Sequence, residues 1–173
     1  MAARGSSDID RVEGGPVRIR VLERDDSARA WIEERWGGSI MVVHGRRFDL
    51  RDLPGLVAED DGAVVGALTY ELRGHEAEVV SVDAGPPGRG TGWALVAQFL
   101  EEARRRGVRV VRTTTTNDNL TALGFWQALG FRLVALRPGA VAAARRVKPS
   151  IPLVGDRGVP VPDELDLALT LDG

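Results

Sequence analysis

Residues 88–93 read Gly-Arg-Gly-Thr-Gly-Trp. Glycines at alternate positions, Gly88, Gly90 and Gly92, let a backbone turn tightly and approach a ligand closely. An amphipathic helix pattern begins directly behind them, and a helix start turns its free N–H groups into such a turn. The chemistry this spacing suits is anion binding, phosphate above all. A strand-to-helix loop without a ligand is the plain alternative. Two nucleotide motifs fail. Gly-x-Gly-x-x-Gly would need a glycine at 93 or 95, where Trp93 and Leu95 stand. A P-loop would need lysine and then Ser or Thr after its last glycine, yet Gly90 is followed by Thr91 and Gly92.

The elements that must position this loop follow from apolar periodicity. Residues 77–84 form a strand pattern leading through Gly85-Pro86-Pro87 into the glycines. The helix behind them spans about 89–106, with Trp93, Val96, Leu100 and Ala103 as its expected apolar stripe and Glu101 facing Arg105. Gly107 is its natural stop. Residues 17–23, 39–44, 108–114 and 131–136 read as strands. Residues 28–35, 120–129 and a short stretch after Pro138-Gly139 read as helices. Asp60-Asp61-Gly62, with its Asp-Gly turn signal, joins 56–59 to 63–72 as a hairpin. Gly45-Arg46-Arg47 reads as a turn. Residues 164–171 alternate four leucines with Asp166, Ala168 and Thr170, an amphipathic strand. Interleaved strands and helices predict one α/β domain over 16–173, a mixed central sheet with helices on both faces. Residues 1–15 read as a flexible tail.

Composition narrows the class. The chain has 173 residues, net charge −2, 43% hydrophobic and 28% charged residues. That is an ordinary globular balance, without the charge field that steers nucleic acid. Cysteine is absent, which rules out disulfides, thiolate metal sites and a cysteinyl acyl-enzyme. No metal centre is expected. No apolar run reaches membrane-spanning length, and residues 1–15 lack a signal-peptide core, so a cytoplasmic protein is expected.

Downstream, Asn119-Leu120-Thr121-Ala122 leads through Phe125-Trp126 to Gly130-Phe131. With the glycine loop ahead of it, this resembles the GCN5-related N-acetyltransferase (GNAT) family. That family carries Gln/Arg-x-x-Gly-x-Gly/Ala for the pyrophosphate of acetyl-coenzyme A, then Asn-x-x-Ala-x-x-x-Tyr and a closing Gly-Phe. Asn119, Ala122 and Trp126 match the second spacing. The resemblance covers about residues 57–136.

It implies acetyl-coenzyme A as co-substrate and direct transfer to a primary amine, on a small molecule or a protein. It also implies that the strands before and after the loop splay apart to admit the pantetheine arm. The implied cofactor contacts are Val82, Ala84, Gly88, Arg89, Gly90, Gly92, Trp93 and Asn119. The Val82 main-chain N–H would polarise the thioester carbonyl. Asn119 serves equally well as a helix N-cap. Amide formation needs a neutral amine, so a group must take a proton. Glu78, at the position of the family's base glutamate, is the catalytic candidate; an exposed strand glutamate is the alternative. Two residues depart from the pattern. Pro87 replaces the loop's Gln or Arg, a loss that Arg89 could offset. Trp126 replaces a tyrosine that often protonates the departing thiolate. An indole cannot do this, and packing is its simpler role. The link 137–163, with Arg145, Arg146 and Lys148 followed by Asp156, Asp163 and Glu164, could rim an acceptor site. A non-catalytic acyl-coenzyme A-binding module and an α/β nucleotide binder remain alternatives. A monomer or homodimer is expected.

Overall fold

The structure, a computed structural model, describes residues 17–171; the expected tail at 1–15 lies outside them. In chain order the elements are β1 (Arg18–Val21), α1 (Ala28–Trp36), β2 (Ile40–Val43), β3 (Arg46–Asp49), β4 (Gly55–Asp60), β5 (Ala63–Arg73), β6 (Glu76–Ala84), α2 (Thr91–Arg105), β7 (Val110–Thr116), α3 (Leu120–Ala128), β8 (Arg132–Arg137), α4 (Ala140–Ala144) and β9 (Glu164–Thr170). Seven strands form one sheet in the order β1-β4-β5-β6-β7-β9-β8, and β2-β3 is a separate hairpin. Within the large sheet β6 and β7 run parallel and every other pair is antiparallel. The mixed sheet with helices on both faces is therefore present.

Each face has its own core. Leu95, Val96, Phe99, Leu100 and Ala103 of α2 pack with Leu68, Val79, Val111, Trp126 and Phe131. Each fully buried side chain of this size contributes about 1.5–3 kcal/mol. The opposite face is closed by α1 and the β2-β3 hairpin, through Ala28, Ile32, Val43 and Phe48 against Val57, Ala67 and Val80. The helix stripe thus departs from expectation. Leu95 and Phe99 belong to it, whereas Trp93 is 47% exposed, because the first turn of α2 hangs over the loop. Glu101 pairs with Arg104 at 3.0 Å, and Arg105 pairs with Glu102.

The turn expected at 45–47 is instead His44-Gly45, with φ of 51° and 71°. Val43 then pairs with Arg46, and Arg46–Asp49 is a strand. The two arginines hid it. Arg46 lays its guanidinium over the buried Phe48 ring, 4.5 Å from the centroid, which strand periodicity does not register. Asp61-Gly62 makes the expected hairpin turn, also with both φ positive, as a two-residue turn of the mirror-image type requires.

Strand β6 carries the feature that matters most. Thr69 pairs with Ser81 and Tyr70 with Val79, leaving Val80 unpaired as a bulge. A bulge bends a strand and reverses its alternation. Val79 and Val82 accordingly face the α2 core, while Val80 faces the hairpin. Beyond Val79↔Thr113, β6 and β7 no longer pair, although β7 stays paired with β9 as far as Thr116↔Glu164. The expected splay lies here. The link after β8 contains α4 and is held by its own side chains: Arg145 donates to the carbonyls of Ile151 and Pro152, and Lys148 donates to that of Trp36 at 2.8 Å.

Candidate active site

The chain leaves β6 through Gly88 and Gly90, whose φ of 84° and 71° only glycine adopts cheaply. Gly90 caps α2 without any side-chain hydrogen bond, and the first turn holds no acidic residue. The free N–H groups and positive dipole end of a fifteen-residue helix are thus left for an anion. Thr91 sharpens the point. It is 2% exposed, and its Oγ1 is buried with no hydrogen-bond partner. Such an atom costs about 1–3 kcal/mol unless something bonds to it. A Cβ at Gly92 would make only ordinary contact with the Phe125 ring, at 3.4 Å.

These groups line a cleft of about 620 Å³, and Val82, Ala84, Gly88, Arg89, Gly90, Gly92, Trp93 and Asn119 all lie on its wall. The structure thus brings together every residue expected to touch the cofactor. Asn119 is a true cap, its Oδ1 accepting from the Ala122 N–H at 3.0 Å. Arg89 is neither solvated nor free: it donates to Asp60 in the β4-β5 turn at 2.6 Å. Trp126 is 3% exposed, edge-on to Phe125 and Phe131 with centroids at 5.1 and 4.9 Å.

Glu78 lies on the other side of the sheet, in a chamber of about 220 Å³ that it shares with His44, Arg46, Thr114 and Asp166. It is the less exposed of the strand's two glutamates: its side chain is 18% exposed against 54% for Glu76. Burial pushes its pKa up, and the nearby charges of His44 and Arg46 oppose this only in part. Burial likewise raises Glu164. Arg46 forks onto Glu71 at 3.1 and 3.0 Å and stands 3.7 Å from Glu78.

Sequence reasoning missed the neighbour of Glu78. The His44 ring Nε2 sits 2.6 Å from Asp166 Oδ1 and 3.0 Å from the Thr114 hydroxyl, while its main-chain N–H donates to Glu164 at 3.2 Å. Asp166 also accepts from Arg137 at 2.7 Å. The leucine alternation of β9 made Asp166 look solvent-facing. In fact β9 lies between β7 and β8, and the hairpin tip covers its second face. The available signal was histidine before glycine in a hairpin turn, a place where asparagine or glycine is far easier. Of the link 137–163, only Arg137 lines the chamber. No group of three or more metal-binding side chains is found among the described residues.

Strand β6 serves both cavities, with Glu76–Glu78 on the chamber and Val82–Ala84 on the cleft. The arrangement can hold an anionic cofactor on one face, thread its arm where β6 and β7 part, and accept a proton on the other.

Comparison with known proteins gives a consistent picture. A family profile described as Acetyltransferase (GNAT) family matches residues 21–131. The uncharacterized protein YxbD of Bacillus subtilis (strain 168) is 36% identical over 84% of this chain and 92% of its own length. The L-2,4-diaminobutyric acid acetyltransferase of Nocardia farcinica is 35% identical over 71% of this chain and 67% of its own. A Bacillus subtilis acetyltransferase solved in complex with CoA superposes with a TM-score of 0.68 at 18% identity, covering 91% of this chain and all of that one.

Proposed function

From the premise that the chain belongs to the GNAT acetyltransferase family, we propose that it transfers the acetyl group of acetyl-coenzyme A directly to a primary amine. The observation that carries this reading is the parting of β6 and β7 after Val79, with an uncapped glycine-flanked helix start on one face and a half-buried glutamate on the other. Thr91 Oγ1 supports the fit to a pyrophosphate, since a phosphate oxygen is the acceptor it lacks.

Acetyl-coenzyme A supplies an acyl group already activated as a thioester. The loop N–H groups and the Thr91 hydroxyl would hold its phosphates, and Val82 and Ala84 line the cleft its arm would follow, where the Val82 N–H would polarise the thioester carbonyl. Glu78 takes the proton of the incoming ammonium. The amine nitrogen then forms the C–N bond as the C–S bond breaks, and its second surplus proton passes to water. The thiolate leaves unaided, which a thiol pKa of about 8.5 allows near neutral pH. Trp126 packs rather than donates.

The test is release of coenzyme A thiol when the protein meets acetyl-coenzyme A and a panel of amines. Amine-dependent release is expected. Tight acetyl-coenzyme A binding with no turnover on any amine would favour the alternative of a binding module. The diaminobutyrate acetyltransferase relative makes small amino compounds the first acceptors to try.

A further inference from the structure

The chamber separates charge by depth. At its floor stand Glu78 and Asp166, with side chains 18% and 11% exposed. At its mouth stand Arg46, Arg73, Arg112 and Arg137, 43–52% exposed. Beside the mouth only Glu71 and Glu76 stand against these four cations, and Arg137 reaches down to Asp166 at 2.7 Å. Glu71 is shared between Arg46 and Arg73. Glu76 reaches Arg112 only at 3.4 Å, a half-exposed pair that is worth little and exchanges readily. A cavity that is negative below and positive above selects a molecule of the opposite pattern. Its volume, about 220 Å³, lies below the roughly 300–1,000 Å³ of drug-sized sites.

Resting on the acetyl-transfer reading, we propose that the acceptor is a small zwitterionic amine of the amino-acid type: the amine enters toward Glu78 and Asp166, and a carboxylate is held at the mouth, with Arg112 as a specificity residue. Arg112 suits the role because a guanidinium fork matches a carboxylate and its ion pair, at 3.4 Å, is looser than the best pair of each of the other three arginines. A diamine would place its second ammonium among arginines. A lysine within a protein brings no carboxylate.

The experiment compares amino acids with their own amides, from glycine and glycinamide through β-alanine to 6-aminohexanoate, together with diamines of matching length. Amides release their amine proton more easily, so free-amine supply works against the expected result. At one chain length or more, kcat/KM for the acid should exceed that for its amide by about tenfold or more, the usual scale of a charge-assisted hydrogen bond. Arg112→Gln should erase most of that preference, chiefly through KM. Arg112→Lys, which keeps the charge but loses the fork, should retain only part of it. Amides or diamines preferred at every length would overturn the proposal. So would a lysine variant as indifferent to the carboxylate as the glutamine variant. Acetylation of no acid by a protein that turns over other amines also overturns it and spares the transferase reading. Failure to bind acetyl-coenzyme A in calorimetry would instead remove both.

Discussion

Glu78 shows what one misplaced solvent shell can do. Its carboxyl is half-buried and desolvation raises its pKa, so it takes a proton at a pH where an ordinary glutamate, near 4.3, would not. The acid limb of kcat/KM should therefore fall above that value, and Glu78→Gln should abolish the limb and lower kcat/KM at pH 7 by about 10²-fold. The deficit should shrink at high pH, where the amine is already neutral. Full activity of the variant at neutral pH would return Glu78 to a structural role. Trp126→Tyr makes a contrasting case. Removing part of a ring packed against two others should cost about 1–2 kcal/mol by denaturant unfolding, while the pH–rate profile keeps its shape. A new basic limb would show that the position faces the thiol after all.

At the scale of elements, turns and helix starts decide what side chains can reach. Gly90→Val forces a β-branched residue into a left-handed conformation at the start of α2. Acetyl-coenzyme A affinity should drop at least about tenfold, or about 1.4 kcal/mol, by calorimetry; an unchanged Kd in a folded variant would sink the loop assignment. The β2-β3 tip gives the reverse expectation. His44→Asn suits the positive φ better but gives up the ring contact to Asp166. Thermal stability should stay within about 1 kcal/mol of the parent while kcat/KM falls, and parallel losses would mean the histidine merely braces the hairpin. The helix α1 start is a third case. Asp26 accepts from the Ala28 N–H at 2.9 Å and is paired with Arg20, whose hydrogen bond is the main reason its pKa falls to about 2. Its stabilisation is present above the unfolded value of 3.8 and is lost as pH drops through about 2. Asp26→Asn should flatten that part of the acid unfolding curve.

Elements also explain what the sequence made legible. The glycine loop could be read because its function resides in the backbone, and glycine at a fixed spacing writes backbone freedom directly. Asn119 could be read because a cap is local. His44 and Asp166 could not. They are 122 residues apart, and each looks ordinary until the hairpin closes over β9. The strand β3 was hidden for a related reason, since Arg46 is held by the Phe48 ring beneath and by Glu71 of β5 beside it, a contact that comes from another part of the fold.

At the scale of the whole molecule, burial sets a pH dependence that opposes that of Asp26. Glu78 and Glu164 bind protons more tightly folded than unfolded. What they contribute to stability is full below about 4.3 and declines as pH rises through their raised folded values. Glu78→Gln should accordingly melt no lower than the parent at pH 7. Such a result would separate its catalytic loss from any loss of structure, whereas a clear drop in Tm would point to contacts that burial alone does not account for.

The unpaired Val80 has a consequence for how the protein can change. On the proposed function, Glu76–Glu78 before that residue line the acceptor chamber and Val82–Ala84 after it line the donor cleft, so the two substrates meet different stretches of one strand. Recognition of the two substrates is therefore separable. Changes in free energy from Arg112→Gln in the chamber and Gly90→Val in the loop should add to within about 0.5 kcal/mol in the double variant. A chain built this way can drift toward a new amine one substitution at a time, without renegotiating its hold on the acyl donor.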